Sequence, residues 1–307
     1  MTKITDNLAN KNSTNYKGHS FSSGSEKAFV FQIYYNDATK AKLQRKFIPL
    51  DNTENLRPDW AEYWPIRNFF KKNALDPNSF YGFLSPDFTN KCGLTSTHVF
   101  DIIDQYWMDS DAILFSPFWS NIAFFRNPFE QAEGMHSFSP IAQKFFDLAN
   151  YPVDVENYIA HSENTVYCNY FVAKPRFWKR WIELTDALFE LAENPESPIY
   201  EELNRDANYV KGQYGKKVFI MERIATTILA HENFKISNLN PFTLPVVTSW
   251  EIFRKDLVSL DALKRLYTHT QDEKYLQAFV LSRYDFILKK FIPALSPEEK
   301  VILNLTE

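Results

Sequence analysis

Glycine is scarce in this chain, with seven among 307 residues. None of them forms G-x-G-x-x-G or G-x-x-x-x-G-K-[ST], so no glycine-rich loop is present to cradle a phosphate. Any nucleotide would have to be held by polar side chains and strand-end backbone. Cysteine is scarcer still. Cys92 and Cys168 are too few for a disulfide framework or a cysteine-based zinc site, which makes a reducing cytoplasm the expected setting. No stretch reaches the ~18 consecutive apolar residues that a membrane span requires. A basic excess is missing as well: the net charge is −4, which argues against a nucleic-acid partner that demands a broad basic face. Residues Met1 to Glu26 are rich in Asn, Ser, Thr and Lys and have no apolar signal-peptide core, so a disordered leader is expected there.

What the chain does have is aromatic, β-branched runs separated by helical patterns, the signature of an α/β domain. Ala28 to Tyr35 is an uninterrupted strand-like run ending in Asn36-Asp37, followed by a helical stretch over Ala38 to Arg45. Phe47 to Leu50 is a second strand that ends in Asp51-Asn52. Polar residues at successive strand ends either terminate the strands or face a ligand. Arg57-Pro58-Asp59-Trp60 opens an aromatic helix containing Glu62-Tyr63-Trp64. Phe80 to Leu84 is a third strand, broken by Ser85-Pro86-Asp87. A helix over His98 to Gln105 and a fourth strand over Ala112 to Phe115 follow.

The centre of the pattern is Thr165 to Trp181. An apolar run from Val166 to Val172, interrupted by Asn169, predicts a buried strand, and Pro175 starts a helix that returns through Phe177, Trp178 and Trp181. Asn169 either touches a ligand or bonds the turn backbone. Further on, Val218 to Arg223 leads into a helix from Ile224, and Phe234 to Ile236 forms a last short strand. From Ser249 the chain is helical throughout, an amphipathic tail able to pack on its own core, on a partner or on a membrane surface. The expected division is a leader over 1–26, an α/β domain over 27–248 and a helical extension over 249–307.

Several residue groups carry chemistry. Asp109-Ser110-Asp111 spells D-x-D, two carboxylates that could share a divalent ion at a diphosphate leaving group. It precedes its strand, whereas Asp87 follows one, so both remain candidates. Glu130, Glu133 and His136 form an acidic and imidazole cluster that either supplies a general base or is a solvated turn. Arg223 beside Glu222 is either a surface ion pair or an arginine gripping a diphosphate.

Taken in order, these pieces resemble the GT-A-type glycosyltransferases of bacterial capsule and lipopolysaccharide gene clusters. The resemblance spans about residues 29 to 236 and rests on Asp51-Asn52 to Asn55, Glu62-Tyr63-Trp64, Tyr81-Gly82-Phe83-Leu84, Asp111 to Phe115, Asn169-Tyr170-Phe171 and Val218 to Arg223. One departure stands out: a His-Tyr-Arg-Arg motif of that branch is replaced here by Ser85-Pro86-Asp87-Phe88. The resemblance implies a GT-A-like (Rossmann-like) fold, a mixed, mostly parallel sheet between helices, and transfer of a sugar from a nucleotide sugar to a cell-surface polysaccharide or lipid-linked glycan. It places Tyr34, Asn36, Asp51, Asn52 and Arg57 near the nucleotide, and Mn²⁺ or Mg²⁺ at Asp109 and Asp111, or at Asp87. Glu133 or His136 would be the base, Asn169 would touch sugar or acceptor, and Arg223 would balance diphosphate charge. Such an enzyme would work in the cytoplasm at the inner face of the plasma membrane, with the C-terminal helices as contact or self-association surface. The rival reading is a non-catalytic assembly or scaffolding subunit of the same pathway.

Overall fold

In the computed structural model, residues 23–133, 138–207, 213–240 and 248–296 are described. A six-stranded sheet forms the middle layer, in the order β2-β1-β3-β5-β4-β6. The strands are β1 (Ala28–Tyr34), β2 (Ile48–Asp51), β3 (Phe80–Leu84), β4 (Ala112–Leu114), β5 (Phe171–Ala173) and β6 (Ile236–Asn238). β1 pairs in parallel with β2 and β3, and β4 with β6, whereas β5 runs antiparallel to both neighbours. The sheet is therefore mixed and mostly parallel, as expected.

Helices follow as α1 (Asp37–Lys40), α2 (Tyr63–Lys72), α3 (Phe88–Cys92), α4 (Ser96–Tyr106), α5 (Trp119–Phe124), α6 (Pro128–Ala132) and α7 (Phe138–Leu148). The remainder are α8 (Pro175–Glu193), α9 (Tyr200–Asn204), α10 (Lys216–His231), α11 (Arg254–Thr270), α12 (Glu273–Phe286) and the short α13 (Ile292–Ala294). No helix among the described residues is long and apolar enough to cross a membrane.

The period-two alternation of the strands sorts the core into two faces. Ile33, Tyr81, Phe83, Leu114, Phe171 and Ala173 point to the side covered by α2, α7, α8 and α10, while Val30, Phe80, Leu84, Ile113 and Val172 point to α3 and α4. Trp178 anchors the first face. Its ring stacks on Phe171 at 4.7 Å, meets Phe83 edge-on at 5.2 Å, and its indole N–H donates to the Tyr81 carbonyl at 2.9 Å. Such aromatic pairs add about 0.5–1.5 kcal/mol each beyond burial.

Four expectations need correcting. The helix expected over Ala38 to Arg45 is only the single turn Asp37–Lys40, and the last strand, expected over Phe234 to Ile236, is Ile236–Asn238. The run Val166 to Val172 is a strand only from Phe171. Before that the chain turns through Cys168 (φ +59°) and Asn169 (φ +54°), both left-handed. Val218 to Arg223 is not a lead-in but the first half of the continuous helix α10.

The tail packs on its own chain. Leu257 of α11 joins Trp119 and Ala123 of α5 in a small core, and Phe124 meets Trp250 and Phe286. Two buried polar side chains fix it further, although burial brings the Lys264 amine down to about 7. Asp261 accepts from the Ser162 amide at 2.8 Å and from its hydroxyl at 2.5 Å. The Lys264 ammonium, fully buried, donates to the carbonyls of Ile122, Phe125 and Ala160 at 2.5, 2.6 and 2.7 Å. Its three N–H groups thus meet three acceptors.

Gly82 lets β5 approach β3. A Cβ there would stand 2.6 Å from Val172 Cγ1 and 2.9 Å from the Phe171 carbonyl oxygen. Gly82→Ala is expected to destabilise the protein by about 1–3 kcal/mol through overpacking. Urea denaturation measures it, and an unchanged midpoint would mean that the contact has slack.

Candidate functional site

β1, β2, β3, β4 and β6 all end on one edge of the sheet, and because β5 is reversed, its beginning lies on that edge too. Strand-end crevices of this kind are where open α/β sheets hold ligands. Here the edge is built from Tyr35 after β1, Ser85 to Asp87 after β3, Ser116 after β4 and the Cys168–Asn169 turn before β5.

The turn is held from several sides. The Tyr167 amide donates to Ser116 Oγ at 2.9 Å, the Tyr170 hydroxyl and Ser85 Oγ are hydrogen-bonded, and the Phe115 amide donates to the Tyr170 carbonyl at 2.8 Å. Two consecutive left-handed residues, one of them a cysteine, store backbone strain of about 1–2 kcal/mol. Asn169 is only 4% exposed. Its amide N–H reaches Met221 Sδ at 3.5 Å, and its Oδ1 has no hydrogen-bond partner among the described residues. A buried acceptor left open costs free energy unless something else satisfies it.

Three charged side chains gather beside this turn. Lys91 of α3 donates to Cys168 Sγ at 3.4 Å and lies 5.7 Å from the centre of the Tyr170 ring. Glu222 of α10 and Glu62, just before α2, both act electrostatically on Lys91 and Cys168. Burial pushes the Glu222 carboxyl above its ordinary range. Arg223 and Lys91 pull it back, while Glu62 raises it further. For Lys91, burial opposes the charge, but Cys168, Glu222 and Glu62 more than restore it and the ammonium is retained. Burial, reinforced by Glu222, pushes the Cys168 thiol up to about 12, so it is a neutral thiol rather than a nucleophile at neutral pH.

The residues singled out in the sequence fall into different places. Tyr34 donates to Asp51 Oδ2 at 2.7 Å, and the Thr53 amide and hydroxyl each donate to Asp51 Oδ1 at 2.8 Å. Tyr34 first, then Thr53, holds the Asp51 carboxyl below its usual value. Asp51 and Asn52 line a groove of about 460 Å³ with Asn55, Trp64, Asn68 and Phe69. Asn36 caps α1, with its Oδ1 accepting from the Thr39 amide at 2.8 Å. Asp87 sits on the crevice edge, paired with Lys42 at 2.7 Å.

Arg57 is engaged elsewhere. It grips Asp59 in bidentate fashion at 2.8 Å and Glu193 at 2.6 Å, and Lys217 joins Asp59 at 2.7 Å. Burial alone would raise the Asp59 carboxyl, but Arg57 and Lys217 bring it down to about 2. Arg223 is also committed: its guanidinium donates to the carbonyls of Pro128 and Phe219 and to Gln131 Oε1, over the Phe138 ring. That locks α10 to α6 and leaves no fork for a diphosphate.

Asp109 and Asp111 lie at the opposite edge, before β4. Asp111 accepts from the Lys235 amide at 3.0 Å and stands 3.8 Å from Lys174, tying the starts of β4 and β6 to the end of β5. The D-x-D spelling is therefore not brought to the crevice. Asp87 is there, but as a lone carboxylate with a lysine on it. No three acidic, histidine or cysteine donors of the crevice converge within metal-ligand reach among the described residues. A Mn²⁺ or Mg²⁺ at this edge would have Asp87 as its one carboxylate among the expected ligands, with diphosphate oxygens and water filling the other positions. Glu133 accepts from the Ser139 amide and hydroxyl at 3.2 and 2.6 Å and lines a separate groove with Arg126, Glu130 and Asp154. His136 lies outside the described residues.

Glu62 and Lys91 have no site role in the sequence reading, and Glu222 enters it only as the residue that would position Arg223 on a diphosphate. The available signal was Glu222 itself, a carboxylate inside the apolar run Val218 to Ile224.

Asn169→Gly is expected to change unfolding stability by less than about 1 kcal/mol, since it removes an unsatisfied acceptor and relaxes the backbone. Cys168→Val, β-branched at positive φ, is expected to cost more than about 1 kcal/mol. Equal losses in urea titrations of the two variants would make the Asn169 side chain structural. Compared with family models, with curated proteins and with solved structures, the chain matches none.

Proposed function

We propose that this protein is a glycosyltransferase of GT-A type that moves a sugar from a nucleotide-sugar donor to a hydroxyl group of a cell-surface polysaccharide or lipid-linked glycan. The observation that carries the reading is Lys91 donating to Cys168 Sγ at the strained Cys168–Asn169 turn, on the edge where the parallel strands end, with Glu62 and Glu222 near enough to act on both. The mixed, mostly parallel sheet is the kind of sheet that the resemblance implies, and the Asp51–Trp64 groove beside the crevice is large enough for a nucleoside or a sugar.

In this reading Glu222 is the general base. Its raised pKa brings a carboxylate closer to the operating pH, where proton abstraction from an acceptor hydroxyl is most effective. Lys91, with Lys42 at the rim, meets diphosphate charge as a point cation in place of the arginine and the D-x-D carboxylates. Asn169 Oδ1 accepts a hydroxyl hydrogen of the sugar, which satisfies the buried acceptor.

The first test is a thermal-shift series with UDP, GDP, CMP and dTDP, with the responding sugar nucleotides then assayed for transfer. A ligand selective for the native state raises the melting temperature. No shift with any of them at millimolar concentration would overturn the transferase reading in favour of the assembly subunit. Glu222→Gln is expected to keep the nucleotide shift while transfer falls about 10²–10⁴-fold. The pH profile carries a sign. Glu222 works deprotonated, so activity is lost as pH falls through its raised pKa. Glu62→Gln removes one of the influences that raise it and should move this acidic limb of kcat/KM to lower pH. A limb that stays in place or moves upward would exclude Glu222 as the titrating base.

A further inference from the structure

Away from the crevice, the segment before the Cys168–Asn169 turn meets the end of α11. His161 and Glu163 belong to that segment and His269 to the helix. One donor atom from each lies within 4.8 Å of the other two, and His269 Nε2 is 3.5 Å from Glu163 Oε2. Four donors held about 2.0–2.1 Å from a zinc ion stand about 3.3 Å apart along a tetrahedral edge. The His269–Glu163 edge already has that length, and closing the rest takes small side-chain rotations.

The surroundings suit ligation. Glu163 is oriented through its other oxygen by Arg265, the kind of outer contact that ligating carboxylates usually have. His161 Nδ1 accepts from the Glu163 backbone amide at 3.2 Å, and Nε2 lies 3.4 Å from the Asn164 side-chain amide, a weak contact that an ion can replace. The His161 ring is buried at 4% exposure and fixed in place, whereas the His269 side chain is 62% exposed and free to adjust. Asp261 on Ser162 and Lys264 on Ala160 hold the two segments in register whether or not an ion is present.

We propose that His161, Glu163 and His269 form a binding site for a divalent transition-metal ion, Zn²⁺ by its two-imidazole, one-carboxylate donor set, that staples α11 to the segment leading into the Cys168–Asn169 turn. A water molecule takes the fourth tetrahedral position. Two imidazoles select such an ion over Mg²⁺, which takes oxygen ligands. The site makes no demand on nucleotide binding, so it stands or falls apart from the transferase reading.

The test is calorimetric titration of the EDTA-treated, dialysed full chain with Zn²⁺ and, separately, Mg²⁺, without nucleotide, together with thermal melts. One Zn²⁺ per chain, a raised melting temperature and no response to Mg²⁺ are expected. His269→Ala should fold normally, because that side chain is mostly exposed, and should weaken Zn²⁺ binding at least tenfold. Glu163→Gln should do the same. Absence of Zn²⁺ binding, or binding of equal strength in both variants, would overturn the proposal.

Discussion

A strand that runs against both of its neighbours lies inside the sheet, and the crevice depends on it. Were β5 parallel, its beginning would lie at the far edge with Asp111, and Cys168 and Asn169 would lie there too. Reversed, it delivers a tight turn, instead of a second strand end, to the edge where the other strands finish. The reversal needs close contact with β3, which Gly82 permits, and it is locked by Trp178, which stacks on Phe171 and bonds Tyr81 across the same pair of strands. Packing in the middle of the sheet thus sets the position of polar atoms at its rim.

The polar rim divides its charges between two tasks. Arg57, Asp59, Glu193 and Lys217 close a network that ties the approach to α2 onto α8 and α10, and Arg223 ties α10 to α6. Both networks satisfy their members internally. Glu62, Lys91 and Glu222 differ in that they influence one another without closing a direct carboxylate–ammonium contact among the described residues, and next to them an amide oxygen has no partner there. A buried acceptor of this kind calls for a partner, which a ligand or a water molecule can supply.

Much of the architecture was legible because the local signals agreed with the final packing. β1, β3 and β4 follow their apolar runs, and α8 begins at Pro175 with Phe177, Trp178 and Trp181 facing the core, as its spacing demands. The opening run of β5 misled because Val166, Tyr167 and Tyr170 are buried by the turn itself, and burial leaves the same apolar imprint whether the backbone is extended or left-handed. Strand direction leaves no imprint at all. The D-x-D spelling was present at the wrong edge for the same reason that Glu222 was overlooked: a motif records neighbours along the chain, while a crevice is assembled from residues that are distant in sequence.

Lys264 has a consequence for the order of assembly. The carbonyls of Ile122, Phe125 and Ala160 belong to the body of the α/β domain, yet the side chain that satisfies them arrives more than a hundred residues after each of them. Until α11 docks, those three oxygens must remain with water and the segment at 160–163 lacks its Asp261 anchor. Closure of the domain over these carbonyls is thus coupled to docking of the tail, and the segment leading into the crevice turn gains its anchor in the same step.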